Sequence, residues 1–401
     1  MIRKTVPVLL ILGLLASTTA FAADWPNFLG PTLDGKAPDV EINKDWGNNP
    51  PAELWRVSLT DAGYAGPSVA DGKVFIIDHR GAEDVVRALA LDTGDTVWEY
   101  AYPDPGGANN GFARATPCVD EGRVFVAGRA GQIVALNAED GAEIWSRNIQ
   151  QDFNGKRPQW NYTASPIVHG EKLIVVPGGP NAAVAALNKT TGETIWAGGG
   201  SFGPGYAQPA IATINGTEQY VCFMWEALAG VNAESGELLW QVPWETKYGV
   251  NAAVPIVEGN YVFATSDYGY GGGVYEITAA GAQQVWGSKV MRAHFSTPIY
   301  HNDFIYGTTE PGDLICLGPR DGSEMWRQGG FEKGGIVLVD GVIIGLDGRG
   351  GDLVMVEAAS GAYNELGRIK PLGGQSWTAP IVADGKILVR NTTALVCLDL
   401  M

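Results

Sequence analysis

One pattern recurs along this chain and restricts how it can fold more than any other feature. The segment "TASPIVHGEKLIVV…AAVAALNKTTGETIW" aligns with "YAQPAIATINGTEQYVCF…ALAGVNAESGELLW", "NAAVPIVEGNYVFAT…GVYEITAAGAQQVW" and "HFSTPIYHNDFIYGT…DLICLGPRDGSEMW". Upstream lie "YAGPSVADGKVFII…VRALALDTGDTVW" and "RATPCVDEGRVFVAGRAGQIVALNAEDGAEIW". Downstream come a weaker copy, "KGGIVLVDGVIIGL…DLVMVEAASGAYNEL", and a last one that stops at Met401 before its tryptophan tail. Eight units result, with closing residues Trp98, Trp145, Trp196, Trp240, Trp286 and Trp326 about 40 to 51 residues apart. The seventh unit lacks the proline and carries Glu365-Leu366 where the tryptophan belongs.

Within a unit, "PIVADGKILV" is two apolar β runs joined by Asp-Gly, a turn pair that tolerates positive φ. A third run such as "IVALNA" follows, then a T/S/D-G turn and a short fourth run ending in Trp. Four strands joined by tight turns make a meander whose two faces both need cover. Radial stacking of 40–50-residue units supplies it. A β-sandwich has no reason to repeat its sequence, and solenoid units carry fewer strands. The expected fold is therefore all-β, an eight-bladed propeller of four-stranded antiparallel blades. At 401 residues the chain is too long for one ordinary core, which stops growing near 250–300 residues, and growth by repetition removes that difficulty. Gly 55, Trp 13 and only 18% charged residues suit many short strands with glycine turns.

The unfinished last unit predicts how the ring closes. "PAELWRVSL" places Trp55 43 residues before Trp98, one unit's interval, with no three strands before it. Glu53–Leu59 is expected to add to the three strands of 375–400 and complete the eighth blade, which leaves no open sheet edge.

The N-terminus, "MIRKTVPVLLILGLLASTTAFAADW", has Arg3 and Lys4, an apolar run from Val6 to Ala16, and Ala20-Phe21-Ala22. That is the order of a secretory signal, and the run is short of the ~20 residues of a membrane span. The expected organisation is a signal peptide at 1–22, an N-terminal extension at 23–52 and a propeller at 53–401. Export to the periplasm or beyond follows, with no cysteine at the cleavage site to take a lipid. The net charge of −17 repels phosphate backbones and anionic lipid heads, which argues against nucleic acid as a partner. Cys118, Cys222, Cys316 and Cys397 form no C-x-x-C, C-x-x-C-H or adjacent pair and read as core residues.

The Trp-terminated units with an "ALDxxTGxxxW" character resemble the pyrroloquinoline-quinone (PQQ)-type propeller repeat over about residues 53–401. The resemblance implies that Trp55, Trp98, Trp145, Trp196, Trp240, Trp286 and Trp326 are structural, each docking between neighbouring blades. Families built this way include periplasmic quinoprotein dehydrogenases, the propeller lipoprotein of the outer-membrane β-barrel assembly machinery, and exported proteins of no assigned activity. "DWPNFLGPTLDG" looks like the "W-P-x-F-x-G-P-x-x-D-G" opening of many in that last group.

Strand direction sorts the loops. The short first and third turns of each unit fall on one face; the second turn and the connection to the next unit fall on the other. Function is expected on that long-loop face. The connections that precede each innermost strand ring the channel: Tyr64, Arg114, Asn161, Tyr162, Tyr206, Gln208, Asn251, His294, Ser296, Gln375 and Trp377. Trp160, Trp225, Trp244, Asp267, Tyr268 and Tyr270 belong to the same face, as do Asp347, Arg349 and Asp352. From this set Arg114, Trp160, Asn161, Tyr162, Tyr206, Gln208, Asn251, His294, Gln375 and Trp377 are the ligand-binding candidates. Aromatics among amides and hydroxyls suit a flat ligand, a sugar or an extended peptide.

Catalytic constellations are missing from the sequence. There is no G-x-S-x-G, H-E-x-x-H or Walker motif, and of four histidines only His294 sits at the channel mouth; His169 and His301 fall at short turns and His79 in a second-turn loop. By the resemblance, a quinoprotein dehydrogenase would hold its quinone between an adjacent-Cys disulfide and a Trp, beside Ca²⁺ held by Glu and Asn, with a catalytic Asp. This chain has no Cys-Cys and no assembled Glu/Asn/Asp set. Two readings follow. The favoured one is a non-catalytic exported platform that binds a protein, peptide or small ligand as a monomeric propeller, with no assigned catalytic residue, cofactor or metal. The alternative is a PQQ- and Ca²⁺-dependent alcohol or sugar dehydrogenase with an atypical site.

Overall fold

The computed structural model describes residues 24–38, 40–60 and 62–401; the expected leader at 1–22 lies outside them. The chain forms eight four-stranded antiparallel sheets, seven of them in plain sequence order. The eighth runs Glu53–Ser58, Ala394–Asp399, Lys386–Arg390, Ile381–Ala383. The N-terminal strand thus supplies the outermost strand of the last blade, pairing Trp55 with Cys397 and Val57 with Leu395. Blades are numbered one to eight from the sheet that begins at Ser68.

Strand alternation builds the core. In blade 1, Val74 and Ile76 face the blade 8 side, while Phe75 and Ile77 face blade 2. In blade 4, Tyr220 and Cys222 meet blade 3, while Val221 and Phe223 meet blade 5. Each blade is apolar on both faces because side chains point alternately from a strand, so the core runs as a succession of inter-blade layers. All four cysteines are free and buried. They lie in blades 2, 4, 6 and 8, one to a blade.

The fourth strand of every blade carries a β-bulge, for example between Ala88 and Leu89 opposite Trp98 and Thr96. The skipped residue turns outward, which leaves Leu54, Val97, Ile144, Ile195, Leu239, Val285 and Met325 exposed around the perimeter. The next residue is the tryptophan. Its indole lies against the glycine of the next blade's third turn: Trp55 on Gly94, Trp98 on Gly141, Trp145 on Gly192, Trp196 on Gly236 and Trp286 on Gly322. A Cβ on Gly94 would stand 2.8 Å from the Trp55 ring, and Gly94 holds φ at +73°. Indole N–H groups of Trp55, Trp98, Trp145, Trp286 and Trp326 donate to carbonyls of Leu91, Ala138, Lys189, Pro319 and Ala359 in the same turns. Trp240 departs from this pattern and donates to Gln219 of its own blade, since the third turn of blade 5 is only Ala279-Ala280 between its strands.

Blade 7 refines the sequence alignment. Its register pairs Met355 with Gly367 and Val356 with Glu365, so Leu366 occupies the bulge and Gly367 the tryptophan position. The vacancy is filled from the extension. Trp46 is 2% exposed, and its Cβ lies 2.5 Å from where a Gly367 Cβ would be.

The extension also covers strand edges on the short-turn face. Trp25 and Val69 exchange backbone hydrogen bonds, Val119 N–H donates to the Pro26 carbonyl, and Leu338 is bonded on both sides by Gly35 and Ala37. Innermost strands of three blades are thereby satisfied where an edge would otherwise be open. Gly30 holds φ at +77° with the Trp25 ring 2.9 Å from its would-be Cβ, which accounts for the glycine after "WPNFL". Phe28 and Leu29, between these anchors, form the floor of the central channel.

Candidate functional site

Above that floor is a cavity of about 360 Å³ at the long-loop mouth of the channel. The connections between blades build it, because each enters an innermost strand and must pass the channel rim. Of the candidates read from the sequence, Arg114, Trp160, Tyr206, Gln208, His294 and Trp377 line it, with Tyr64, Tyr268, Phe295 and Ser296. Asn161, Tyr162 and Asn251 lie outside the lining. Asn161 sits at φ 66° and accepts a bond from Arg157. The Tyr162 hydroxyl donates to the Pro177 carbonyl. Asn251 is fully buried and donates to the Met224, Trp225 and Trp244 carbonyls, so it ties loops together. Gln375 reaches the rim through its amide, 2.6 Å from the Tyr64 hydroxyl.

The mouth carries an unbroken arc of rings. Trp160 meets Tyr248 edge-on at 6.3 Å, Tyr248 meets Tyr268 at 5.8 Å, and Tyr268 meets His294 at 5.2 Å. Phe295 follows at 4.8 Å, then Trp377 at 5.6 Å, and Tyr64 stacks on Trp377 at 5.3 Å. Tyr248 and Tyr268 are about two-fifths exposed (41% and 39%), so the arc is presented to solvent instead of being spent on packing. Rings combine apolar area with a polar edge, which suits a recognition surface.

Polar groups interrupt the arc at fixed places. Arg114 donates to the carbonyls of Trp160, Asn109 and Asn110, and burial pulls its pKa below the usual arginine value. Lys333 lies over the Trp377 ring at 5.2 Å. Gln208 is 2% exposed, and its carbonyl oxygen has no hydrogen-bond partner among the described residues. A buried acceptor without a donor costs about 1–3 kcal/mol, and this one belongs to a residue of the cavity lining.

A second polar cluster supports the rim and is absent from the sequence reading, which placed His79 in a loop. His79 Nδ1 lies 2.9 Å from Asp84 and its Nε2 3.0 Å from the Gly81 carbonyl. Phe112 stacks on the imidazole at 3.6 Å. Arg129 binds Asp104 and the carbonyls of Gly106 and Gly107, which clamps the connection that leads to Arg114. Burial pushes the Asp84 carboxyl up to about 6; the His79 bond pulls against that shift and the Asp104 charge adds to it. The signal in the sequence was "IIDHRGAEDVVRAL", where charges interrupt strands that otherwise read as core. Arg129→Met should cost about 3–5 kcal/mol, because it strands a buried carboxylate. Urea denaturation checks this, and a loss under 1 kcal/mol would contradict the clamp.

A family model described as outer membrane protein assembly factor BamB (PQQ_2) matches residues 82–328. The BamB of Salmonella typhimurium is 26% identical over 343 residues, covering 78% of this chain and 81% of that protein. Among solved structures, BamB from Moraxella catarrhalis superposes with a TM-score of 0.63 at 14% identity, covering 87% of this chain and 99% of that one. Quinohemoprotein alcohol dehydrogenase from Comamonas testosteroni gives 0.67 at 14% identity, covering 94% and 80%. At such identities the two superpositions speak for the fold alone. Among the described residues no helix is long and apolar enough to cross a membrane. The family match spans more than half of the sequence, and the chain belongs to the PQQ_2 family of BamB-like propellers.

Proposed function

We propose that this protein is an exported, non-catalytic propeller that serves as a binding or assembly platform, engaging a protein or peptide through its long-loop face. The observation that carries the reading is the solvent-presented aromatic arc around an open cavity. The BamB relatives are outer membrane protein assembly factors, a role that agrees with a platform. Extended peptides with aromatic side chains match the arc: rings can stack along it while the peptide N–H groups find acceptors such as Gln208. Organised for periplasmic work, the chain is expected to act as a monomer whose leader at 1–22 is removed.

The quinone reading fits the residues poorly. No two cysteines lie in the same blade, so no disulfide ring can cover one side of a quinone. Of the two tryptophans that could offer the flat surface on the other side, Trp377 already has Tyr64 stacked on it and Lys333 over its ring, and Trp160 is met edge-on by Tyr248. Asn161 and Asn251, either of which could offer an oxygen to Ca²⁺, both lie outside the cavity lining, with the Asn161 oxygen accepting from Arg157 and the Asn251 oxygen from Thr246 and Ser266.

Binding of unstructured peptides to the purified protein, followed by fluorescence anisotropy, tests the platform. Aromatic-rich peptides should bind, and aromatic-free ones of the same length should bind much more weakly. Trp377→Ala and Trp160→Ala should each weaken binding about tenfold or more, the scale of a buried aromatic anchor. Unchanged affinity in both variants would overturn the assignment of this face. Stoichiometric binding of PQQ with Ca²⁺, accompanied by dye-linked alcohol oxidation, would overturn the non-catalytic reading.

A further inference from the structure

Among the described residues, two groups of metal-ligating side chains stand near the long-loop face, and they differ in one respect. In the His79–Asp84–Asp104 group every ring nitrogen is engaged, by Asp84 and by the Gly81 carbonyl, and Arg129 holds Asp104. In the second group, Asp267, His294 and Glu310, the ring nitrogen is not engaged. His294 Nδ1 is shut off from solvent and has no hydrogen-bond partner among the described residues. It nevertheless lies 3.8 Å from an Asp267 oxygen and 3.8 Å from a Glu310 oxygen.

Those separations are too long for hydrogen bonds and close to the span of ligands around a shared ion. With bonds of about 2.0–2.2 Å, tetrahedral ligand atoms stand about 3.4 Å apart, so a small side-chain rotation closes the set. The three ligands come from separate segments: the second turn of blade 5, the connection into blade 6, and the second turn of blade 6. His294 and Tyr268 line the cavity, so the group stands at its wall.

We infer that Asp267, His294 and Glu310 form a binding site for a divalent transition ion, of the Zn²⁺ or Mn²⁺ class, at the wall of the central cavity. One imidazole with two carboxylates suits such ions better than Ca²⁺, which takes six to eight oxygens. Lys333 Nζ, 3.5 Å from Glu310, is the charge the ion must displace. The inference is independent of the platform reading.

The test uses tag-free, chelator-treated full-length protein titrated calorimetrically with ZnCl₂ and with MnCl₂, and the visible absorption of bound Co²⁺. One equivalent should bind. Glu310→Gln and Asp267→Asn, which keep the side-chain shapes, should each weaken binding at least tenfold, and His294→Phe should abolish it. Lys333→Gln should tighten it several-fold. Binding that survives all three ligand substitutions would place the ion elsewhere and overturn the site. Failure of Zn²⁺, Mn²⁺ and Co²⁺ to bind at millimolar concentration would leave an ion-paired cluster and overturn it equally.

Discussion

Deleting residues 394–401 should leave a chain with no cooperative thermal transition. The strand Ala394–Asp399 is the sole sheet partner of Glu53–Ser58, and Leu395, Val396, Cys397 and Leu400 are fully buried. At about 1.5–3 kcal/mol for each large apolar side chain, the loss is on the order of 10 kcal/mol. Domains of this kind hold only about 5–15 kcal/mol in total. The deletion also removes two backbone anchors of the extension, since Asn43 donates to Leu400 and Asp399 to Ala52. Circular dichroism melting and dye binding to exposed apolar surface read the outcome. A sharp transition within a few degrees of the full chain would contradict closure by this strand.

The second large effect concerns the blade without a tryptophan. Trp46→Ala should cost about 3–5 kcal/mol, the usual loss for a buried tryptophan, and lower the melting temperature by roughly 5 °C. Gly367→Trp alone should also destabilise, because its Cβ would fall 2.5 Å from that of Trp46. Combined, the two changes should oppose each other: an indole on residue 367 can enter the space that Trp46 vacates. The double variant is therefore expected to be more stable than either single one. Additive losses would show that Trp46 does not stand in for the missing residue, since only coupled sites depart from additivity.

The repetition made the ring legible. Because eight copies share one plan, the tryptophan interval before Trp98 sufficed to place Glu53–Leu59 in the last blade. The same plan assigned loops to faces, which is why Arg114, Trp160, Tyr206, Gln208, His294 and Trp377 were named together and do meet in one cavity. What escaped lies outside the repeat or depends on irregular backbone. Trp46 has no counterpart in any unit, so nothing in the alignment connected it to Gly367. One bulge displaced the alignment of blade 7 by a residue, from Leu366 to Gly367. Asn161 and Asn251 occupy connections whose course is particular to each blade, and there neighbouring positions can face the channel or the loop interior. Phe295, Lys333 and Glu310 belong to the site by proximity alone.

The floor built by Phe28 and Leu29 has a kinetic consequence. Phe28 and Leu29 narrow the channel below the cavity, so a ligand seated in the well is expected to enter and leave by the long-loop mouth. Arrival and departure then share one path over the Trp160–Tyr248–Tyr268 rim. Substitutions on that rim should alter association and dissociation rates together, whereas changes deeper in the well, such as at Gln208, should act mainly on residence time.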